Sequence, residues 1–257
     1  MQKVAVSIGN FEIHWYGMFV AAGFLAGVWT AGQRGAKNGL DAETITDLAL
    51  WIFGGAFVGA RILYILMFWD EEFSGEPFTK LFALRSGFVF NGGLIGATVT
   101  GIAYSIWKKL PTWKLADAIA PSVALGHALG RLGCLMTGCC WGRSCELPWA
   151  VKFPVGHPTY PTLVHPVQVY EAVLNFSLYL ALAWLYQRKR FDGQVFALYL
   201  LGYGIIRAIA ELFRGDYPDS QMTGWITPAH WISLLLLVAG TLLFLWRQSA
   251  GTRTRAA

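Results

Sequence analysis

Long apolar runs separated by short polar segments are the dominant pattern along the chain. Seven of these runs come close to the roughly 20 residues that a helix needs to cross a hydrocarbon layer about 30 Å thick. They are residues 15–33, 48–68, 88–107, 115–137, 167–186, 194–213 and 231–246. The pattern predicts an all-α integral membrane protein, a bundle of about seven transmembrane helices. We expect one polytopic transmembrane domain over residues 1–257, with an outer, proline-containing loop region at about 138–166.

Composition supports the same fold class. The sequence is 55% hydrophobic and 14% charged, whereas charged residues make up about 25% of typical soluble domains. The net charge is +5, but the basic residues form only short clusters and no groove interleaved with aromatic side chains. We therefore expect a lipid bilayer around the chain and no nucleic acid as a partner.

The positions of the basic residues predict how the chain is oriented. Eleven of the 20 lysines and arginines lie in the segments that follow the first, third, fifth and seventh runs, and six lie on the opposite side. Basic residues near helix ends favour the cytoplasmic side of a membrane. We therefore predict that the N-terminus lies outside and the C-terminus lies in the cytoplasm.

The other three basic residues lie inside predicted helices. Arg61, Arg131 and Arg207 occupy the second, fourth and sixth runs, each about 10–12 Å below the outer boundary at about 1.5 Å of rise per residue. One interpretation is structural, because an arginine can extend to the interface or pair with an acid, as Glu211 one turn after Arg207 allows. Three arginines at one depth favour an anion site for a lipid phosphate, because a planar guanidinium fork matches phosphate.

Tyrosines lie close to two of these arginines. Tyr203, Arg207 and Glu211 recur every four residues, so they form one polar stripe on the sixth helix. Tyr64 lies about one turn from Arg61 on the second helix. A single tyrosine is more often a packing residue, but beside the arginines we expect both to line the pocket.

The four cysteines fall at or near the outer surface in this topology. Cys134, Cys139, Cys140 and Cys145 have the spacing C-x4-CC-x4-C, which lacks the paired C-x2-4-C of zinc sites. We therefore predict no metal site and no cofactor. A disulfide that uses Cys145 stays open on an oxidising outer face, and small packing residues are our first interpretation of Cys134 and Cys139.

Six short motifs occur along nearly the whole chain. They are "IHWYG" at 13–17, "GARILY" at 59–64, "GGLIG" at 92–96, "GRLGCLMTGCCWGR" at 130–143, "HPVQVYE" at 165–171 and "YGIIRAIAELFRGD" at 203–216. Each motif is weak alone, but in this order and spacing they resemble the prolipoprotein diacylglyceryl transferase family, which begins bacterial lipoprotein maturation. Arg61, Arg131 and Arg207 fall in three of the motifs.

The resemblance implies a reaction and a location. The diacylglyceryl group of phosphatidylglycerol would pass to the lipobox cysteine thiol of a prolipoprotein signal peptide, and glycerol phosphate would leave. The location would be the bacterial cytoplasmic (inner) membrane, with the active site open toward the outer leaflet. The resemblance makes Arg131 and Arg207 the phosphate-handling pair. Its further substrate or support positions are Tyr16, Tyr64, Tyr203, Gly142, His165 and Glu171.

Asn91 is the main departure from the family pattern. Many members carry histidine directly before the Gly-Gly pair of the third helix, where this chain has Asn91. An amide cannot take the proton of the acceptor thiol but can form a hydrogen bond, so we keep Asn91 as a catalytic candidate of that kind. The proton would go to His14, to Glu211 or to the departing phosphate, and we favour the phosphate. A second departure is Cys134, where members have asparagine.

Two other functions stay open. An anion transporter would also need intramembrane arginines, but the chain lacks the internal repeat that many transporters show. A catalytically altered relative that only binds lipid or signal peptide is the other alternative, and Asn91 is the feature that favours it.

Overall fold

Helices form most of the protein, as the apolar runs predict. The structure is a computed structural model that describes residues 4–9, 11–74, 87–217 and 227–256. In chain order the elements are β1 (Val4–Ile8), β2 (Phe11–His14), α1 (Trp15–Ala36), α2 (Ala42–Met67), α3 (Phe90–Trp107), α4 (Thr112–Thr137), β3 (Val151–Lys152), β4 (Leu163–Val164), α5 (Val167–Tyr186), α6 (Gln194–Glu211) and α7 (Pro228–Ala256). Each predicted run coincides with one helix, and the differences lie at the polar ends. The helix α2, for example, begins well before its apolar run because the Asp41 side chain caps its first turn.

Five of the described helices are long and apolar enough to cross a membrane. They are α2, α4, α5, α6 and the part of α7 over Pro228–Ala250. The helices α1 and α3 are not among them, and in α3 four glycines and Asn91 dilute the apolar residues. A mostly helical membrane protein is therefore confirmed, whereas the count of seven spans and the orientation of the termini stay predictions.

Two short antiparallel sheets add to the predicted all-α architecture. The strands β1 and β2 pair in a hairpin that leads directly into α1. Between α4 and α5, β3 pairs with β4. The outer loop region predicted at about 138–166 is therefore partly built of extended backbone.

The described residues cluster in two compact units. The larger unit contains residues 1–34 and 116–257, and the α2–α3 unit contains residues 35–115. The single polytopic domain stays a prediction.

Glycines bring the two helices of the α2–α3 unit together. A Cβ at Gly59 would clash with the Gly92 carbonyl oxygen, and a Cβ at Gly96 would clash with the Gly55 carbonyl oxygen. Small residues let helix backbones approach closely where lipid surrounds them. The glycines of the "GARILY" and "GGLIG" motifs therefore have a packing function.

A buried aspartate holds the start of α6 in the larger unit. Asp117 of α4 accepts hydrogen bonds from the amides of Gly193 (2.9 Å) and Phe196 (3.0 Å) and from Lys189 Nζ (2.9 Å). Burial alone would lower the pKa of Lys189, but its bonds to Asp117 and Asp192 outweigh burial and raise the pKa. Asp117 thus caps a helix from a neighbouring helix, which fixes the relative register of α4 and α6.

Candidate active site

Arg131 and Arg207 meet at one buried carboxylate. Arg131 pairs through Nε with Glu171 Oε2, and Arg207 Nη1 donates to Glu171 Oε1 at 2.9 Å. The Glu171 side chain is 3% exposed, and the two arginines are 20% and 11% exposed. The three residues come from α4, α5 and α6. The structure therefore gives Arg131 an acidic partner that local spacing on its own helix does not provide.

A second carboxylate extends this group toward α7. Arg207 Nη2 lies 2.8 Å from Glu211 Oε2 and donates to the Tyr217 hydroxyl at 3.1 Å. Glu211 Oε1 accepts from Thr227 Oγ1 at 2.6 Å. Burial raises the pKa of Tyr217 above its ordinary value, so this hydroxyl stays neutral. We call Arg131, Glu171, Arg207 and Glu211 the arginine–glutamate cluster, and its four charges balance.

The two guanidinium groups differ in the donors that they leave open. Arg207 uses both terminal nitrogens on partners of the protein. Arg131 contacts Glu171 through Nε, and within the described ranges no hydrogen bond involves its Nη1 or Nη2. Because phosphate binds a guanidinium fork through two parallel donors, Arg131 is the arginine with a fork available for a phosphate.

An aromatic pair lies next to the cluster. His127 and Tyr203 lie one turn before Arg131 and Arg207 on their helices, and their ring centroids are 4.7 Å apart. Tyr203 stacks in turn on Tyr199. The sequence places Tyr203 beside Arg207 but does not single out His127. Its signal is the same four-residue spacing, in "HALGR" at 127–131.

Gly142 and His165 support the outer loop region through their backbones. The Gly142 amide donates to the His165 carbonyl at 3.2 Å, and the Arg143 amide donates to the Phe213 carbonyl at 2.8 Å. A Cβ at Gly142 would lie 2.5 Å from the His165 oxygen, so only glycine allows this approach. The His165 ring packs against Phe213, and its Nδ1 lies 3.3 Å from the Tyr170 hydroxyl.

Two of the predicted residues lie where β2 joins α1. The Tyr16 ring rests on α4 at Gly133, where an added Cβ would lie 3.1 Å from Tyr16 Cδ2. His14 is about half exposed, and its Nε2 lies 4.0 Å from Glu12. Tyr16 therefore reaches the helix that carries Arg131, while His14 pairs with an acid of its own strand.

Three predicted residues lie in the α2–α3 unit. Arg61 is buried, donates from Nη1 to the Gly87 carbonyl at 3.1 Å, and lies over the rings of Tyr64 and Phe73. Tyr64 donates to Glu72 at 2.6 Å. Asn91 is exposed in the first turn of α3. Of the three intramembrane arginines, the structure joins Arg131 and Arg207 in one cluster, and Arg61 has partners within its own unit.

Three thiols gather at the end of α4. The Sγ atoms of Cys134, Cys139 and Cys140 lie within 4.8 Å of one another, a separation at which one metal ion can bind all three. Hydrogen bonds from the Cys134 and Cys140 thiols lower the pKa of Cys139. An open groove of about 350 Å³ lies beside Cys139 and is bordered by His157 and Trp141. The fold thus brings together three thiols whose spacing in the sequence does not predict a metal site. The absence of a metal stays a prediction.

Comparison with known proteins identifies close relatives of the chain. The sequence model of the prolipoprotein diacylglyceryl transferase family matches residues 3–246. The phosphatidylglycerol–prolipoprotein diacylglyceryl transferase of Photobacterium profundum is 36% identical over 260 residues, which cover 99% of this chain and 96% of that protein. The protein of the same name from Bordetella bronchiseptica is 34% identical over 254 residues, 96% of this chain and 95% of that protein. The one from Vibrio parahaemolyticus is 34% identical over 257 residues, 98% and 92% respectively.

Proposed function

The chain belongs to the prolipoprotein diacylglyceryl transferase family, and from that membership we propose that it moves the diacylglyceryl group of phosphatidylglycerol onto the lipobox cysteine thiol of a prolipoprotein. Glycerol phosphate is the other product. The arginine–glutamate cluster is the reacting centre. The observation that carries this assignment is the open fork of Arg131 beside a second, fully engaged arginine.

The reaction requires a group that stabilises a departing phosphate. The thiolate sulfur forms a bond to the glycerol carbon of the diacylglyceryl group, and the bond from that carbon to the phosphate oxygen breaks. The electron pair stays on the leaving oxygen. A fixed guanidinium that contacts the phosphate through two donors stabilises this charge in the transition state more than in the substrate. Arg131 performs this function.

Glu171 positions the two arginines and does not bind the phosphate. Its buried carboxylate holds Arg131 by Nε. The two terminal nitrogens of Arg131 then remain for the phosphate. The same carboxylate ties Arg207 to the opposite oxygen. Since Arg207 is also held by Glu211 and Tyr217, its role is to keep the cluster rigid and to add positive potential near the phosphate.

The location of the cluster suits a substrate from the outer leaflet. Arg131 lies six residues before the end of α4 at Thr137, which corresponds to about 9 Å along the helix. With the predicted orientation of the termini and seven spans, that end of α4 faces outward. The protein then lies in the bacterial cytoplasmic membrane and receives the signal peptide from the outer side.

The remaining predicted residues serve as supports in this proposal. Gly142 and His165 hold the outer loop region, and Tyr203 flanks the cluster beside His127. Tyr16, Tyr64, Arg61, His14 and Asn91 are proposed substrate contacts on α1, β2 and the α2–α3 unit.

Complementation tests the proposal in cells. A bacterium depleted of its own transferase should regain mature lipoproteins when it carries the wild-type chain. Arg131→Lys should fail, because an amine cannot make the planar two-point contact. The matched control is Arg188→Lys, an exposed arginine after α5, which should complement like wild type. A wild-type chain that restores no lipoprotein, at normal abundance in the membrane, would contradict the proposal.

A further inference from the structure

His127 lies beside the arginine–glutamate cluster and is not used in the mechanism above. Its Nδ1 is buried and has no hydrogen-bond partner among the residues that the structure describes. The side chain as a whole is only partly covered. Buried polar atoms in native proteins nearly always have a partner. The unpaired Nδ1 of His127 therefore indicates that this nitrogen binds a ligand, or accepts a proton, that comes from outside the protein.

The acceptor thiol supplies such a proton. A free thiol has a pKa near 8.5, so only about a few per cent of it is the nucleophilic thiolate at neutral pH. We propose that His127 is the general base that takes this proton, an inference that rests on the proposed function. Neutral imidazole is the side chain best suited to accept a proton in this pH range.

The other candidates are less suited to this role. Both carboxylates of the cluster, Glu171 and Glu211, are already bonded to Arg207. His14 pairs with Glu12 at the surface. Asn91 carries an amide, which accepts no proton at neutral pH. His127, by contrast, combines an unpaired nitrogen with a place one turn from the open fork of Arg131.

The spacing of His127 and Arg131 fits the two groups on which they act, the acceptor thiol and the departing phosphate. The residues lie four apart on α4, on one face of the helix and separated by about 6 Å along its axis. The His127 imidazole takes the proton from the thiol while the sulfur bonds to the glycerol carbon. The bond to the phosphate oxygen breaks at the Arg131 end, and glycerol phosphate keeps the electron pair. The imidazolium then returns its proton to the released phosphate, and the histidine is ready for the next turnover.

Two neighbours bear on the charge of the His127 ring. Arg131 on α4 places a positive charge near it, and the Tyr203 ring on α6 lies against it. Burial of the imidazole and a nearby positive charge both favour its neutral form, which is the form that accepts a proton. His127 is therefore available as a base throughout the pH range of the assay.

The test compares kinetics of the purified full chain between pH 6 and pH 9.5, with phosphatidylglycerol and a lipobox peptide. We expect His127→Gln to lower kcat at pH 7 by about 10²–10⁴-fold, with little change in the KM for phosphatidylglycerol. The defect should shrink above about pH 8.5, where the thiol ionises without a base. His14→Gln is compared in parallel and should keep the pH dependence of the wild type.

A second peptide bypasses the base. A selenocysteine in place of the acceptor cysteine is ionised at neutral pH, so His127→Gln and wild type should transfer to it at similar rates. His127→Asn is measured in the same way, so that the comparison remains if His127→Gln does not fold. An equal loss at every pH with both peptides would mean that His127 is only structural and would overturn the proposal. A defect of His14→Gln at neutral pH that selenocysteine restores would assign the base to His14. No transfer by wild type at all would contradict the proposed function itself.

Discussion

Replacement of Glu171 by glutamine tests the part of the cluster on which the other contacts depend. Glutamine keeps the size of the side chain and one acceptor oxygen, so the change removes mainly the negative charge. The cluster would then keep two guanidinium groups but only one carboxylate, Glu211, which lies next to Arg207.

The structure sets the size of the effect. The Glu171 side chain is 3% exposed, and removal of one partner from a buried ion pair destabilises proteins by about 3–5 kcal/mol. Arg131 keeps 20% of its side-chain surface exposed, so water can partly compensate its charge. We therefore expect the free energy of unfolding to fall by about 3 kcal/mol, toward the lower end of that range.

The assay is reversible unfolding of the purified protein in mixed micelles with increasing SDS. Transfer activity is measured under folding conditions, where loss of the arginine geometry should lower kcat. Glu146→Gln is the matched control, because Glu146 is exposed in the outer loop region and its replacement should change stability by less than about 0.5 kcal/mol. If Glu171→Gln and Glu146→Gln were equally stable and equally active, Glu171 would not organise the cluster.

Three further predictions concern Arg207, the four cysteines and the topology. Arg207→Lys should lose most activity, since one amine cannot reach Glu171, Glu211 and Tyr217 together; near-normal lipoprotein modification would refute this. Replacement of all four cysteines by alanine should leave substantial transfer, and complete loss in a folded variant would assign the thiols a catalytic, metal or disulfide function. Arg190→Cys in a chain that has no other cysteine should resist a membrane-impermeant maleimide added from outside, and its labelling would invert the predicted topology.

The helices could be predicted because their signal is local. Burial in lipid demands about 20 consecutive apolar residues, and α5 coincides with its predicted run over Val167–Tyr186. The helix α3 is less apolar, because it contains Asn91 and glycines that pack against α2. The short sheets could not be predicted, because strands of two to five residues are too short to show a clear periodic pattern.

The cluster could be predicted only in part. The pair Arg207 and Glu211 follows from four-residue spacing on one helix, but the contact of Arg131 with Glu171 joins residues far apart in sequence. Asp117 and the three thiols illustrate the same limit: each forms its contacts through tertiary structure. Arg61 illustrates it too, because its hydrogen bond to the Gly87 carbonyl joins residues that are 26 positions apart in the sequence.

The most direct measurement of the central claim is transfer by the purified chain in vitro. Labelled phosphatidylglycerol and a lipobox peptide are incubated with wild type or Arg131→Lys, and the diacylglyceryl peptide is quantified by mass spectrometry. The account predicts transfer by wild type and a loss on the order of 10–100-fold in Arg131→Lys, which corresponds to the loss of about 1.5–3 kcal/mol from a charge-assisted contact. Equal rates for the two proteins would contradict the assignment of the reacting phosphate to Arg131.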